Sequence, residues 1–190
     1  IQNVATGDRT LRNNTTGNYN VAIGRNALEL NTTASNNTAV GKSSLQANTT
    51  GSYNAALGRF ALRDNTTGTE NTGLGNSAAL SITTGNYNTA VGSDALKYTT
   101  TASNNTAVGQ SALAANTTGS YNTAHGVQSL ENNTTASYNT ALGHTALLSN
   151  TTGAFNTANG FQALRNNTTG ANNTSVGESA LYANTTGGDN

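Results

Sequence analysis

The chain has 190 residues, the length of one ordinary domain, yet only 8% of them are charged and 34% hydrophobic, against roughly 25% charged in a typical globular domain. A formal net charge of +0 gives no footprint for a nucleic-acid partner or an anionic membrane, and no apolar run is long enough for membrane insertion. With no Cys there is no disulfide framework, and with no Pro long hydrogen-bond ladders meet no missing donor. Disorder joins low hydrophobicity to high charge and lacks a period, so a thin, repetitive core fits better. The sequence shows no signal peptide and no starting Met, and is expected to be a processed product or a segment of a longer fibre.

A period organises everything else. From Gly7, Gly24 and Gly41 to Gly177, eleven glycines fall 17 residues apart without insertion or deletion. A step that never drifts means that each copy is one turn of a continuous object. The expectation is a mainly β protein, a parallel β-solenoid (β-roll) of eleven 17-residue turns, forming one repeat domain over 1–190. At about 4.8 Å per turn it would be a rod roughly 50 Å long.

Within a turn the first element is a short extended segment closed by the aligned Gly, such as Tyr87-Asn88-Thr89-Ala90-Val91. Alternation puts Asn88 and Ala90 on one face and Tyr87, Thr89 and Val91 on the other. The Asn recurs as Asn20, Asn37, Asn54, Asn71, Asn88, Asn105, Asn122, Asn139, Asn156 and Asn173, and the small residue departs from Ala only at Gly73 and Ser175. So uniform a face is expected to point into the coil, where stacked amides can form a ladder; a turn role for Asn is the alternative. The opposite face varies more, with His125 and Asn159 in the Val91 column. It is the expected subunit contact, with Tyr53, Val91, Tyr121, His125 and Asn159 as its representatives.

After the Gly comes a segment such as "GRNALEL", rich in helix formers. It carries a repeated Leu (Leu28, Leu45, Leu62, Leu96, Leu113, Leu130, Leu147, Leu164 and Leu181, with Ala79 the lapse) that is expected to fill the core. Asp8/Arg12 and Arg25/Glu29 are opposite charges four apart, the spacing that meets on a helix surface. One helical or 3₁₀ turn per repeat and a second strand both fit this segment.

The third element is the Thr-Thr-Gly corner that leads to the next strand. Ala34, Ala102 and Ala136 replace its Gly and argue against an obligatory positive φ. Asn-Thr-Thr is also a glycosylation sequon, at Asn14, Asn31, Asn48, Asn65, Asn116, Asn133, Asn150, Asn167 and Asn184. Glycans on successive turns would collide, which favours corner chemistry of Asn and Thr and a prokaryotic or viral source.

The segments "NNTAVGKSSL", "SYNTAHGVQSL" and "NNTSVGESAL" resemble the head repeats of trimeric autotransporter adhesins (YadA-like, haemagglutinin-type), and more closely the Asn-Thr-rich repeats of phage tail fibres and related surface fibres. The shared features are the strand from Asn20 to Gly24 and the small residue Ala27. The repeat here is longer than that of the adhesin heads, by an insertion around Asn-Thr-Thr, and no coiled-coil heptads or membrane anchor accompany it. The resemblance implies a homotrimer or filament of parallel rods, extracellular, on a cell surface or virion, that presents or reaches a receptor or glycan.

No constellation for catalysis is visible, no cofactor is implied, and the chain is not expected to be an enzyme. His125 and His144 fall in different columns, and no Cys can join either to hold a metal. His144 shares the position after Gly with Lys42 and Arg59, where a solvated side chain is expected; three copies of His125 could meet an ion only on a three-fold axis. The acidic residues form no column for stacked Ca²⁺ sites, and the glycines lack a phosphate-loop Lys. Tyr19, Tyr53, Tyr87, Tyr121, Tyr138 and Phe155 share a column that suits packing against a neighbouring chain, or else a sugar stripe. The function expected is a structural or adhesive fibre segment. The alternative is an ice-binding β-solenoid using Thr ladders, against which stand His125 and Asn159 in an outward column.

Overall fold

The structure is a computed structural model and describes residues 2–190. Eleven strands of three residues follow one another: β1 (Val4–Thr6), β2 (Val21–Ile23), β3 (Thr38–Val40), β4 (Ala55–Leu57), β5 (Thr72–Leu74), β6 (Thr89–Val91), β7 (Thr106–Val108), β8 (Thr123–His125), β9 (Thr140–Leu142), β10 (Thr157–Asn159) and β11 (Thr174–Val176). They form a single parallel sheet in sequence order. Every pairing joins residues 17 apart, as in Ala22↔Ala39 and Ala90↔Ala107. The molecule is a β-solenoid in which each residue lies over its counterpart in the next copy.

The segment after the aligned Gly is neither helix nor strand among the described residues. Its backbone alternates in hand: Asn26 has φ of 61° and Leu28 of 49°, and the equivalent two residues are left-handed in every repeat. Alternation turns successive peptide groups to opposite sides. The Asn26 N–H therefore donates back to Asp8 O at 2.9 Å, while the Leu28 N–H donates forward to Ser44 O at 3.1 Å. A helix would have spent those groups within the segment. Here they join rungs, and local bonds are limited to tight turns such as Ala27 N–H to Gly24 O at 3.2 Å. The left-handed conformation costs a residue such as Leu free energy, so the stacking of rungs overrides the helix propensity of "GRNALEL".

The charge pairs are rearranged for the same reason. Without a helix, Asp8 does not meet Arg12, nor Arg25 meet Glu29. Arg25 instead lies 3.6 Å from Asp8 and Arg12 lies 3.8 Å from Glu29, each partner one rung away in the same column.

The core is a narrow file. Leu28, Leu45, Leu62, Leu96, Leu113, Leu130, Leu147 and Leu164 are fully buried with the strand alanines and the alanines preceding each Leu. Leu181 departs from the expectation: it is exposed, because it belongs to the last described rung and no described residue covers it. The aligned glycines have φ near 130°, as at Gly92 and Gly109, and each from Gly7 to Gly160 lies against the backbone of the next. The corner glycines avoid the left-handed region, so backbone hand does not bar Ala34, Ala102 and Ala136 from their place, although a Cβ at Gly51 or Gly85 would press on the next rung's carbonyl.

Candidate functional site: two buried asparagine ladders and an exposed strand face

The strand asparagines, from Asn20 to Asn173, are all buried. Each binds three levels of the coil. In the middle of the rod the Asn105 side-chain oxygen accepts the Asn122 backbone N–H at 2.9 Å, while its amide donates to Gly119 O at 2.9 Å and to the Asn88 side-chain oxygen at 3.2 Å. The same two backbone contacts recur at Asn37, whose oxygen accepts from Asn54 N–H and whose amide donates to Gly51 O. A buried amide is affordable only with such partners, and Asn supplies both a donor and an acceptor at the length required.

A second ladder runs through the sequon asparagines. Asn31, Asn48, Asn65, Asn116, Asn133, Asn150 and Asn167 are fully buried. The Asn48 amide donates to the Asn31 side-chain oxygen at 3.0 Å and to the corner carbonyl of Gly51 at 2.9 Å, and Asn65 repeats this against Asn48 and Gly68. These side chains are interior bonds of the folded chain, closed to glycan attachment. One sequence signal pointed to an interior: apolar Ile82 stands in this column, and only Ile82 and Thr99 interrupt its asparagines.

The Thr pair divides its work. The first Thr is part-buried in most rungs and its hydroxyl donates to the next rung's carbonyl, as Thr49 Oγ1 does to Thr66 O at 3.0 Å. The second, from Thr16 and Thr33 to Thr186, is exposed in all eleven repeats, and none of its hydroxyls has a hydrogen-bond partner among the described residues.

The outer strand face carries His125 and Asn159 as exposed side chains and Val91 as a half-buried one; Tyr53 and Tyr121 are exposed too, but they precede their strands with φ of 61° and 60°, so the expected alternation does not extend to them. His125 stands in its column between Val108 and Leu142. Other exposed large apolar side chains are Ile23, Leu57 and Leu74 in the strand column and Tyr19 and Tyr87 just before their strands. Where aromatic residues occupy successive rungs they stack: Tyr121 on Tyr138 at 5.1 Å and Tyr138 on Phe155 at 5.0 Å, with planes within 2° of parallel. Their ring faces are turned along the rod axis and cover one another, leaving edges for a partner. That geometry disfavours stacking of a sugar ring on Tyr138.

Titratable chemistry is sparse. His144 is exposed and stacked on Phe161 at 5.6 Å. Lys97 is held protonated above its usual range, first by its hydrogen bond to Asp94. Among the described residues there is no pocket and no group of three His, Cys, Asp or Glu that could hold a metal ion, and no helix long and apolar enough to cross a membrane. No family model, no curated protein and no solved structure matches the chain.

Proposed function

We propose that the chain is a structural or adhesive segment of an extracellular fibre, assembled as a homotrimer through the outer strand face. The observation that carries this reading is the length and character of that face. Exposed Leu57, Leu74, Leu142 and Val176 stand in one column of the sheet, interrupted by His125 and Asn159, and exposed Tyr19, Tyr53, Tyr87, Tyr121 and Phe155 precede the strands in a second column; recurring apolar exposure of this kind marks an association surface. A second copy is the occupant that fits best, because only a partner with the same rise per rung stays in register from β1 to β11, and another copy has that rise by construction. No catalytic step belongs to this reading. The resemblance of "NNTAVGKSSL" to surface-fibre repeats supports the same conclusion and an extracellular place, on a cell surface or virion. Solution mass by light scattering, with Val91→Asp as the disrupting variant, tests it.

One observation favours a second reading, ice binding. The exposed Thr column from Thr16 to Thr186 is uninterrupted, unlike the strand column that contains His125 and Asn159. A straight file of methyl and hydroxyl groups at rung spacing could order water. Thermal hysteresis measured on the purified protein separates the two: activity abolished by Thr101→Tyr would favour ice, and its absence leaves the fibre.

A further inference from the structure

The chain is neutral as a whole but not along its length. Six of the eight Lys and Arg residues and only three of the eight Asp and Glu residues lie between Asp8 and Asp64, which puts that stretch at +3 and the remainder of the chain at −3. The three carboxylates there are already engaged. Asp8 faces Arg25 at 3.6 Å; Glu29 faces Arg9 at 3.9 Å and Arg12 at 3.8 Å, and accepts from Gln46 at 2.9 Å. Asp64 accepts two bonds from Arg63, both at 2.7 Å. Lys42 and Arg59 have no carboxylate within 4.0 Å among the described residues.

These two cations belong to a file. Arg25, Lys42 and Arg59 occupy the position after the aligned Gly on three successive rungs and are all exposed, about 4.8 Å apart along the rod. Phe60 gathers two of them: the Arg59 guanidinium lies 4.3 Å from its ring centre and the Lys42 ammonium 5.9 Å, and Arg63, from another column, approaches to 5.6 Å. Asp64 already neutralises Arg63, which leaves Lys42 and Arg59 as like charges beside one ring that repel unless an anion joins them.

We propose that Lys42 and Arg59, with Phe60 beneath them and the carboxylate-paired Arg25 and Arg63 at the margins, bind an acidic polysaccharide laid along the rod axis. A linear chain with a carboxylate or sulfate on each sugar can set successive anions against successive rungs. A second copy of this chain offers no such row: Glu70, Asp94, Glu131, Glu178 and Asp189 never occupy successive rungs of one column. A nucleic-acid strand would gain little from Phe60, whose face is taken by Arg59, whereas single-strand binding draws on open aromatic faces. The proposal gives the adhesive part of the fibre reading a ligand class and rests on it only there.

The test is affinity chromatography of the intact chain at low salt on immobilised polygalacturonate and on dextran sulfate, with neutral dextran as the blank and light scattering on the same samples. Retention on either acidic polymer, released by salt, is expected. Lys42→Ser with Arg59→Ser should weaken it by roughly tenfold, while the isoelectric control Lys97→Ser with Arg165→Ser leaves it unchanged. No retention beyond neutral dextran, equal loss in both pairs of variants, or tighter binding of an oligodeoxynucleotide would each overturn the proposal. The fibre reading is judged separately, by the mass: a monomer that binds removes the fibre and keeps this site, and a trimer that does not bind does the reverse.

Discussion

The side-chain oxygen of Asn65 is buried and accepts no hydrogen bond, because the residue one rung on is Ile82 rather than Asn. The same rung has Ala79 in the Leu file and Gly73 in the strand Ala column. Ile82 and Ala79 both lie in the apolar core, so the rung exchanges a Leu and an amide for an Ala and an Ile: apolar volume is kept and a ladder bond is lost. Returning both positions to the common pattern, Ala79→Leu with Ile82→Asn, is expected to stabilise the rod by about 1–2 kcal/mol, since a donor then reaches Asn65. Ile82→Asn alone should destabilise, because it empties the core beside Ala79. Denaturant midpoints of the three variants check the order.

Loss of one strand amide in mid-ladder should be costly. Asn105→Ala leaves the buried Asn122 N–H and Gly119 carbonyl without their partners, for an expected loss of about 2–4 kcal/mol. Asn159→Ala, on the exposed outer face, should change stability by less than about 0.5 kcal/mol. Equal effects at the two sites would contradict the interior placement of the ladder.

Two glycines in neighbouring rungs should behave oppositely. Gly92 has φ of 132°, and a Cβ there would lie 2.6 Å from Gly109 O, so Gly92→Ala must shift backbone and is expected to cost about 3 kcal/mol or more. Gly73 is not left-handed, and its Cβ would meet the Ala78 carbonyl oxygen at 3.1 Å and the Leu62 side chain at 3.2 Å, contacts that a shift of a few tenths of an ångström relieves. Gly73→Ala restores the residue found in every other strand but β11 and should stay within about 1 kcal/mol of the parent. Thermal melts of the pair decide this.

The strand asparagines were legible because one face of a two-fold alternation tolerated only Asn and small residues, while the other accepted His125 and Asn159. Their sequon counterparts were not, since Asn48-Thr49-Thr50 is polar throughout and reads as a corner; burial of Asn48 comes from the rungs above and below it, which local pattern does not carry. The repeat length showed the solenoid. It could not show the left-handed Leu45 or Leu113, because their conformation is set by hydrogen bonds to other rungs and runs against local propensity. For the same reason Arg12 found Glu29 rather than Asp8.

Val91→Asp places a carboxylate on the outer face in mid-rod, where the equivalent neighbours are Leu74 and Val108. An assembly joined through this face must desolvate that charge, so the variant is expected to dissociate to monomers at concentrations where the parent is intact. Sedimentation velocity reads the change. An oligomer of unchanged mass and melting temperature would move the contact to another face.

Solution mass is the most direct measurement. Light scattering on a size-exclusion column should give three times the 19.2 kDa chain mass, with the Tyr53, Val91 and Tyr121 face inside. A clean monomer at all concentrations would contradict chain association through that face, leaving the apolar stripe without an occupant.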